Sequence, residues 1–503
     1  MQDLKYIRET DFSKGYNDKT KPELLPEGYC ADALNCFLDD QLITKRTGYT
    51  EKGTDVEISK PILDMKAVEF STGTKFIIRA RDTANGANSI IEAWTGTGAW
   101  GALTGASSQT ASKPHVFVTA NDICYLMNDT DTVLKTTNGT STSTVAAFPK
   151  GVDAKWFHNC MFVITATGRL YFSNLNDPET WGADNYIDIN PKDGDITVGL
   201  GVLKDELDIF KQNRVWALTG FGLSDYTVAD MGERVTGLGA QSRKSIVETG
   251  DDVYFLAKVG EVPHFRSIMR TRYGTIVAGE IISDAIEGTM KSLIMSQLDN
   301  CAGIFDGRKI WWSVTNTGST NSLVLVYDTL TKGWTRHTGI NASCWTLSTL
   351  SGYPEVYFGE AGSSAKTYKM DSSKSDAGTA IDMQFKTRLY SPFPERKCKW
   401  KYLQLACDVA SPGTLDVDYS VDGFDLSDLA SLTLTGIGST LPLTLDTSRL
   451  GTPSIARERI DSAGGVSYKV QYRFRNNTAT DAIRIREYQL MYKPKGLRAV
   501  SEM

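Results

Sequence analysis

The residue types able to do chemistry are few and scattered. Four histidines (His115, His158, His264 and His337) and eight cysteines (Cys30, Cys36, Cys124, Cys160, Cys301, Cys344, Cys398 and Cys407) are spread over 503 residues. Structural zinc needs ligands at short, paired spacings, and no C-x-x-C pair occurs. His158 and Cys160 form the one local pairing of a base with a nucleophile. Two residues apart, they share a face if the segment is a strand. No third group stands nearby to orient the histidine, so the pair reads as part of a core strand. Carboxylates gather at Asp39-Asp40, at Asp205, Glu206 and Asp208, and at Asp251-Asp252. Two carboxylates facing one cleft can cleave a glycosidic bond. At strand ends and turns such residues solvate or cap the chain, which is the reading here. Gly199-Leu200-Gly201 lacks the third glycine of a dinucleotide-binding turn, and no P-loop is present. No catalytic, cofactor-binding or metal-ligating residue is assigned. No cofactor and no enzyme activity are expected.

Composition narrows the class. Charged residues make up 23% and hydrophobic residues 41%, which suits a globular fold and excludes wholesale disorder. The net charge of −6 argues against a tight nucleic-acid binder, which carries a basic excess. The scattered cysteines read as small buried hydrophobes of a reducing compartment. No apolar run approaches the ~20 residues that span a bilayer, so no membrane span is expected. The opening MQDLKYIRETDFSKG has no apolar core of a signal peptide, so synthesis in a cytosol is expected.

The elements that would position these residues are strands. Arg169–Ser173, Asp205–Phe210 and Arg214–Leu218 are β-type runs, with Lys211-Gln212-Asn213 as a hairpin connection. Similar groups of three or four short strands recur about every 40 to 50 residues, the period of propeller blades. Residues 1–55 have little apolar periodicity and are predicted to form an extended arm on something larger. Residues 56–370 are predicted to form an irregular β-propeller, 371–379 a polar linker, and 380–503 a C-terminal β-sandwich-like domain. The last shows strict alternation over Ser467–Arg475 and Ala482–Tyr492. The fold class is therefore all-β. Two short helices are predicted, Glu280–Glu287 stopped by Gly288, and Met290–Leu298. Tyr327-Asp328 and Trp334 match half of a kelch repeat. The missing Gly-Gly doublet leaves a strand end, a turn and a packed Trp. Trp311, Trp312, Trp334 and Trp345 are predicted to pack between blades, and Trp181 and Trp216 to pack as well.

The order of four stretches resembles a known family, the tail hub or nozzle (tail tubular or stabilisation) proteins of short-tailed bacteriophages. The first is the end of the arm, Asp39-Asp40-Gln41-Leu42-Ile43-Thr44-Lys45-Arg46-Thr47-Gly48-Tyr49, similar to the family's entry to its first blade. The second is Arg169–Asn174 with Asp177-Pro178-Glu179-Thr180-Trp181. The third is Ile196–Gly220. The fourth is Gly237-Leu238-Gly239-Ala240 with Ser245-Ile246-Val247 and Val253–Ala257. The resemblance implies a structural virion protein that forms a homohexameric ring below the portal and adaptor proteins. It further implies an anchor for tail fibres or spikes, and a channel for passage of double-stranded genomic DNA during ejection. The location it implies is the virion tail, assembled in the host bacterial cytoplasm. Two other readings fit strand repeats of this kind. One is a propeller-type polysaccharide depolymerase, and the other is a kelch-like interaction scaffold.

Overall fold

The computed structural model describes residues 4–55, 60–106, 108–222, 225–231, 239–270, 276–277, 280–408, 413–434, 455–461 and 464–495. The chain divides into two compact units. One comprises Thr50–Leu325 and Ile340–Asp371, the other Met1–Tyr49, Val326–Gly339 and Ser372–Met503.

The first unit is a β-propeller. Among the described residues, six separate antiparallel sheets of four or five strands open with Ile62–Glu69, Val116–Ala120, Asp153–Phe157, Thr197–Leu203, Val247–Glu248 and Ala342–Ser348. A further repeat comes between the last two, and its opening strand Ala302–Phe305 pairs with Lys309–Val314. The opening strands neighbour one another in chain order, and Ala342–Ser348 closes the ring against Ile62–Glu69. Radial closure covers the broad faces of each small sheet with its neighbours and leaves only short edges.

The hydrophobic core lies between successive sheets rather than at one centre. Val68, Phe76 and Ile78 of the first sheet pack with Phe117, Cys124 and Leu126 of the second. Phe162, Leu170 and Phe172 of the third pack with Leu200, Leu207 and Leu218 of the fourth. Each fully buried Leu, Ile or Phe contributes about 1.5–3 kcal/mol. Trp312 stacks on Phe265 at 4.1 Å and donates its indole N–H to the Ser245 carbonyl at 3.1 Å, so this tryptophan does join neighbouring repeats. Trp334 lies on the segment Val326–Gly339, which falls in the second unit, and packs 4.9 Å from Tyr327.

Two local expectations need correction. His158 and Cys160 do not share a strand. Strands Asp153–Phe157 and Cys160–Ile164 are joined by His158-Asn159, both at positive φ (47° and 59°), the conformation of a tight two-residue hairpin turn. The helices also differ. Among the described residues a single α-helix occurs, Glu287–Lys291, which runs through Gly288 rather than stopping there and is flanked by 3-10 turns at Asp284–Ile286 and Met295–Asn300. Thr289 and Met290, which follow the glycine in the same turn, are buried. Of the stretch that begins at Gly237, Gly237 and Leu238 lie outside the described residues.

The second unit is a two-sheet β structure to which the N-terminal residues contribute strands. Lys5–Glu9 pairs antiparallel with Arg484–Pro494, bringing Ile7 opposite Leu490. Ile43–Lys45 pairs with the same strand at Ile485. In the other sheet Asp32–Leu34 pairs with Met383–Lys386, which pairs in turn with Val470–Asn476. Phe474 and Tyr488 bring the two sheets together with ring centroids 5.4 Å apart. The paired cations of the Lys45-Arg46 motif are buried here. Arg46 makes a fork onto Asp376, a residue of the stretch expected to be a linker, and donates to Asn35 Oδ1 at 3.0 Å and to the Thr338 carbonyl at 2.7 Å. Lys45 donates to the Thr478 carbonyl at 2.7 Å, and burial lowers its pKa to about 8. Gly48 lies so close to Ser375 that a Cβ would sit 2.1 Å from its carbonyl oxygen.

In the propeller, the first sheet holds a second arginine cluster. Glu92 accepts from Arg79 at 2.7 Å and from Arg81 at 2.6 Å, all three buried. Arg79 also pairs with Asp55 at 2.5 Å and lies over the Trp100 ring at 3.9 Å. Glu92→Gln keeps the shape of the side chain but removes the charge shared by two buried guanidinium groups. It is expected to cost about 3–5 kcal/mol of stability by chemical denaturation. A loss below about 1 kcal/mol would show that the cluster is not what holds this sheet.

Candidate functional site

The opening strands of the propeller surround a channel with a cavity of about 520 Å³. That is the size of a small-molecule site. Alternate residues of a strand share a face, so residues two apart reach the channel together. Asp64 and Lys66 do so from the first sheet, and Asp153 and Lys155 from the third. Leu200 and Val202 do so from the fourth, and Ile246 and Glu248 from the fifth. Arg243 and Lys244 add a 3-10 turn, Arg243–Ser245, just before the fifth sheet.

Arg243 organises the polar contacts. It pairs with Asp64, lies 3.9 Å from Asp153 and donates to the His115 carbonyl at 2.9 Å. One guanidinium thus ties together residues of the first three sheets. Gly199 makes room for it. A Cβ there would sit 2.9 Å from Arg243 Cγ and 3.0 Å from Asp153 Oδ2. Lys244 donates to the carbonyls of Leu63 at 3.2 Å and Ser343 at 2.6 Å. Lys155 pairs with Glu248 at 2.6 Å.

The carboxylates are engaged twice over. Asp153 accepts the Leu200 N–H at 2.8 Å and the Ala154 N–H at 2.9 Å. Glu248 accepts the Val202 N–H at 2.9 Å. Burial pushes the Asp153 carboxyl up although Arg243 and Lys155 pull it down. Burial also opposes the charge on Arg243, but Asp64 and Asp153 outweigh it and raise the guanidinium. Lys66 differs from its neighbours. Burial lowers its pKa against the opposing charges of Glu248 and Asp153. Chemically, the channel is a rigid set of charges joined across sheets.

The residues singled out for possible chemistry lie elsewhere. His158 is stacked between Phe157 at 3.8 Å and Phe221 at 4.5 Å, on the outside of the third sheet's hairpin turn. Cys160 is buried and meets the Tyr226 hydroxyl. Asp205 is exposed at a turn, but Glu206 and Asp208 are buried within the strand Glu206–Lys211 rather than capping it. Asp251 is exposed while Asp252 is buried. Asp39 and Asp40 lie on a 3-10 turn of the second unit. All eight cysteines are free and buried. Among the described residues no group of three or more His, Cys, Asp or Glu could hold a metal ion, and no helix is long and apolar enough to cross a membrane. The channel charges were missed, although a signal exists. Asp64-Met65-Lys66 and Asp153-Ala154-Lys155 repeat an Asp-x-Lys pattern on the opening strands of two repeats.

No family model matches the sequence, and no curated protein does either. Among solved structures, YCF48 from Cyanidioschyzon merolae is similar at 12% identity and TM-score 0.42, over 64% of this chain and 98% of that one. YCF48 bound to D1 peptide is similar at 10% identity and TM-score 0.41, over 65% and 97%. The Neurospora crassa Pan2 WD40 domain follows at 7% identity and TM-score 0.37, over 65% and 90%. The assignment as a propeller rests on the ring of sheets itself.

Two outcomes follow for the propeller. Arg243→Met leaves Asp64 and Asp153 without their shared cation and is expected to cost about 3–5 kcal/mol of stability. Unfolding in urea measures this, and an unchanged midpoint would contradict it. Burial raises the Asp252 carboxyl to about 7, against hydrogen bonds from its surroundings. A folded-state pKa above the unfolded value means that the folded chain binds the extra proton. The stability linked to it is present at low pH and is lost as pH rises through about 4 to 7. Asp252→Asn is expected to flatten the pH dependence of the melting temperature across that window. A slope equal to that of the unsubstituted protein would contradict the assignment.

Proposed function

We propose that this chain is a non-enzymatic scaffold whose propeller docks protein partners. One observation carries the reading. The hairpin turn His158-Asn159 gathers exposed apolar side chains from two other segments of the propeller. Phe221, two-thirds exposed, stacks on His158. The loop bearing exposed Leu175 is tied to the same turn by the Asn176 N–H donating to the Asn159 carbonyl at 2.7 Å. Clustered apolar side chains on an otherwise polar surface mark interaction sites. The channel carboxylates, in contrast, are committed to cations and backbone N–H groups.

Within that reading, the finer proposal is a tail hub of a short-tailed bacteriophage. It rests on the ordered succession of motifs from Asp39–Tyr49 to Val253–Ala257. Burial of the Lys45-Arg46 pair gives the first of those motifs a physical purpose in anchoring the N-terminal segment. The assembled form would be a ring of about six copies under a portal and adaptor, carrying fibres or spikes and passing double-stranded DNA. Its place would be the virion tail, after assembly in the host cytoplasm.

Light scattering on the purified chain, alone and with a portal–adaptor complex, tests both levels. A ring of about six copies in either condition is the expected result. Leu175→Asp with Phe221→Asp is expected to leave the melting temperature unchanged and to abolish assembly. A monomer in both conditions that cleaves polysaccharide would overturn the proposal.

A further inference from the structure

One sheet of the second unit carries a ladder of lysines on its outer face. Strands Cys398–Asp408 and Arg484–Pro494 are antiparallel, and Lys399 lies directly opposite Lys493. The same register continues past both strand ends, where the Lys495 N–H donates to the Lys397 carbonyl at 2.9 Å. Directly opposed residues share a face, and so do residues two apart on one strand. The four lysines therefore stand together, on the side away from the buried Cys398 and Trp400. Lys397, Lys399 and Lys495 are exposed, and Lys493 is half-buried. Among the described residues no carboxylate pairs with any of the four.

Both flanks of the ladder are apolar. Val466 pairs with Lys399 on the side away from Lys493, and the ring of Tyr468 lies 5.3 Å from the Lys397 ammonium. On the other flank, Tyr6 lies opposite Met491, which shares the face of Lys493. Tyr6, Val466 and Tyr468 are all exposed, as is Leu4, two residues before Tyr6. Like charges directly opposite one another destabilise a sheet, and that cost is relieved when carboxylates reach the ladder from outside. We propose that this face docks a protein partner whose contact surface is acidic, with apolar side chains between its carboxylates. Complementary charge steers such a partner and fixes its orientation. The apolar flanks favour a protein over a nucleic acid, since a phosphate backbone would answer the lysines but leave Leu4, Tyr6 and Val466 exposed. The chain as a whole carries −6, so the ladder is a local reversal of sign that directs an acidic partner to one face. This surface belongs to the other unit from the apolar cluster at His158, so it is a second docking site, and its failure would leave the first reading standing.

Fluorescence anisotropy with the full chain at low salt tests the proposal. The probes are a labelled dodecapeptide of eight Glu and four Leu, a dodecapeptide of Glu alone, and a labelled 12-base-pair duplex DNA. Saturable binding of the mixed peptide is expected, tighter than that of the other two and weakened by added salt. Lys399→Glu turns one rung of the ladder into a pair of opposite charges. It is expected to weaken binding of the mixed peptide by about tenfold or more, while the melting temperature stays the same or rises. No saturable binding of the mixed peptide, equal affinity in the Lys399→Glu variant, or DNA or the all-Glu peptide binding as tightly as the mixed one would overturn the proposal.

Discussion

The propeller depends on one electrostatic constraint. A ring of radial sheets brings the inner edge of every opening strand to one axis, where side chains point at a narrow space. Charge placed there must be matched, because desolvation of an unpaired ion costs several kcal/mol. Arg243 supplies the match for Asp64 and Asp153 and reaches the His115 carbonyl as well. Its planar fork is always charged and engages several acceptors at once, which a lysine cannot reproduce. Gly199 is the sequence feature that lets the side chain enter.

The same device recurs in each unit separately. In the first sheet of the propeller, Glu92 serves Arg79 and Arg81 together. In the second unit, Arg46 binds Asp376, Asn35 and Thr338, so one guanidinium gathers three distant stretches of chain. Breaking such a pair is costly because the partner is left charged and buried. The arrangement favours one register over its neighbours, since a strand slipped by one residue would turn its charge away from the partner.

Much of the architecture was legible in the sequence because strands advertise themselves locally. Ala482–Tyr492 alternates, Lys211-Gln212-Asn213 marks its hairpin, and the repeat spacing matches blades. Three features were not legible for physical reasons. His158-Asn159 is a turn because both residues accept positive φ, and alternation alone does not register that. Gly288 lies inside a helix whose Thr289 and Met290 are buried, and tertiary context of that kind overrides propensity. Trp334 lies on a short segment between two propeller strands that falls in the other unit. The channel was partly legible, since Asp-x-Lys recurs at Asp64 and Asp153. Its organiser was not, because Arg243 lies on an irregular turn far along the chain from every partner.

The central claim is that Arg243 couples strands from different sheets through charge rather than filling space. A double-mutant cycle of Arg243→Met and Asp64→Asn, read by equilibrium unfolding, tests this most directly. The account requires a coupling energy of about 1–3 kcal/mol. Losses that add to within about 0.5 kcal/mol would contradict it.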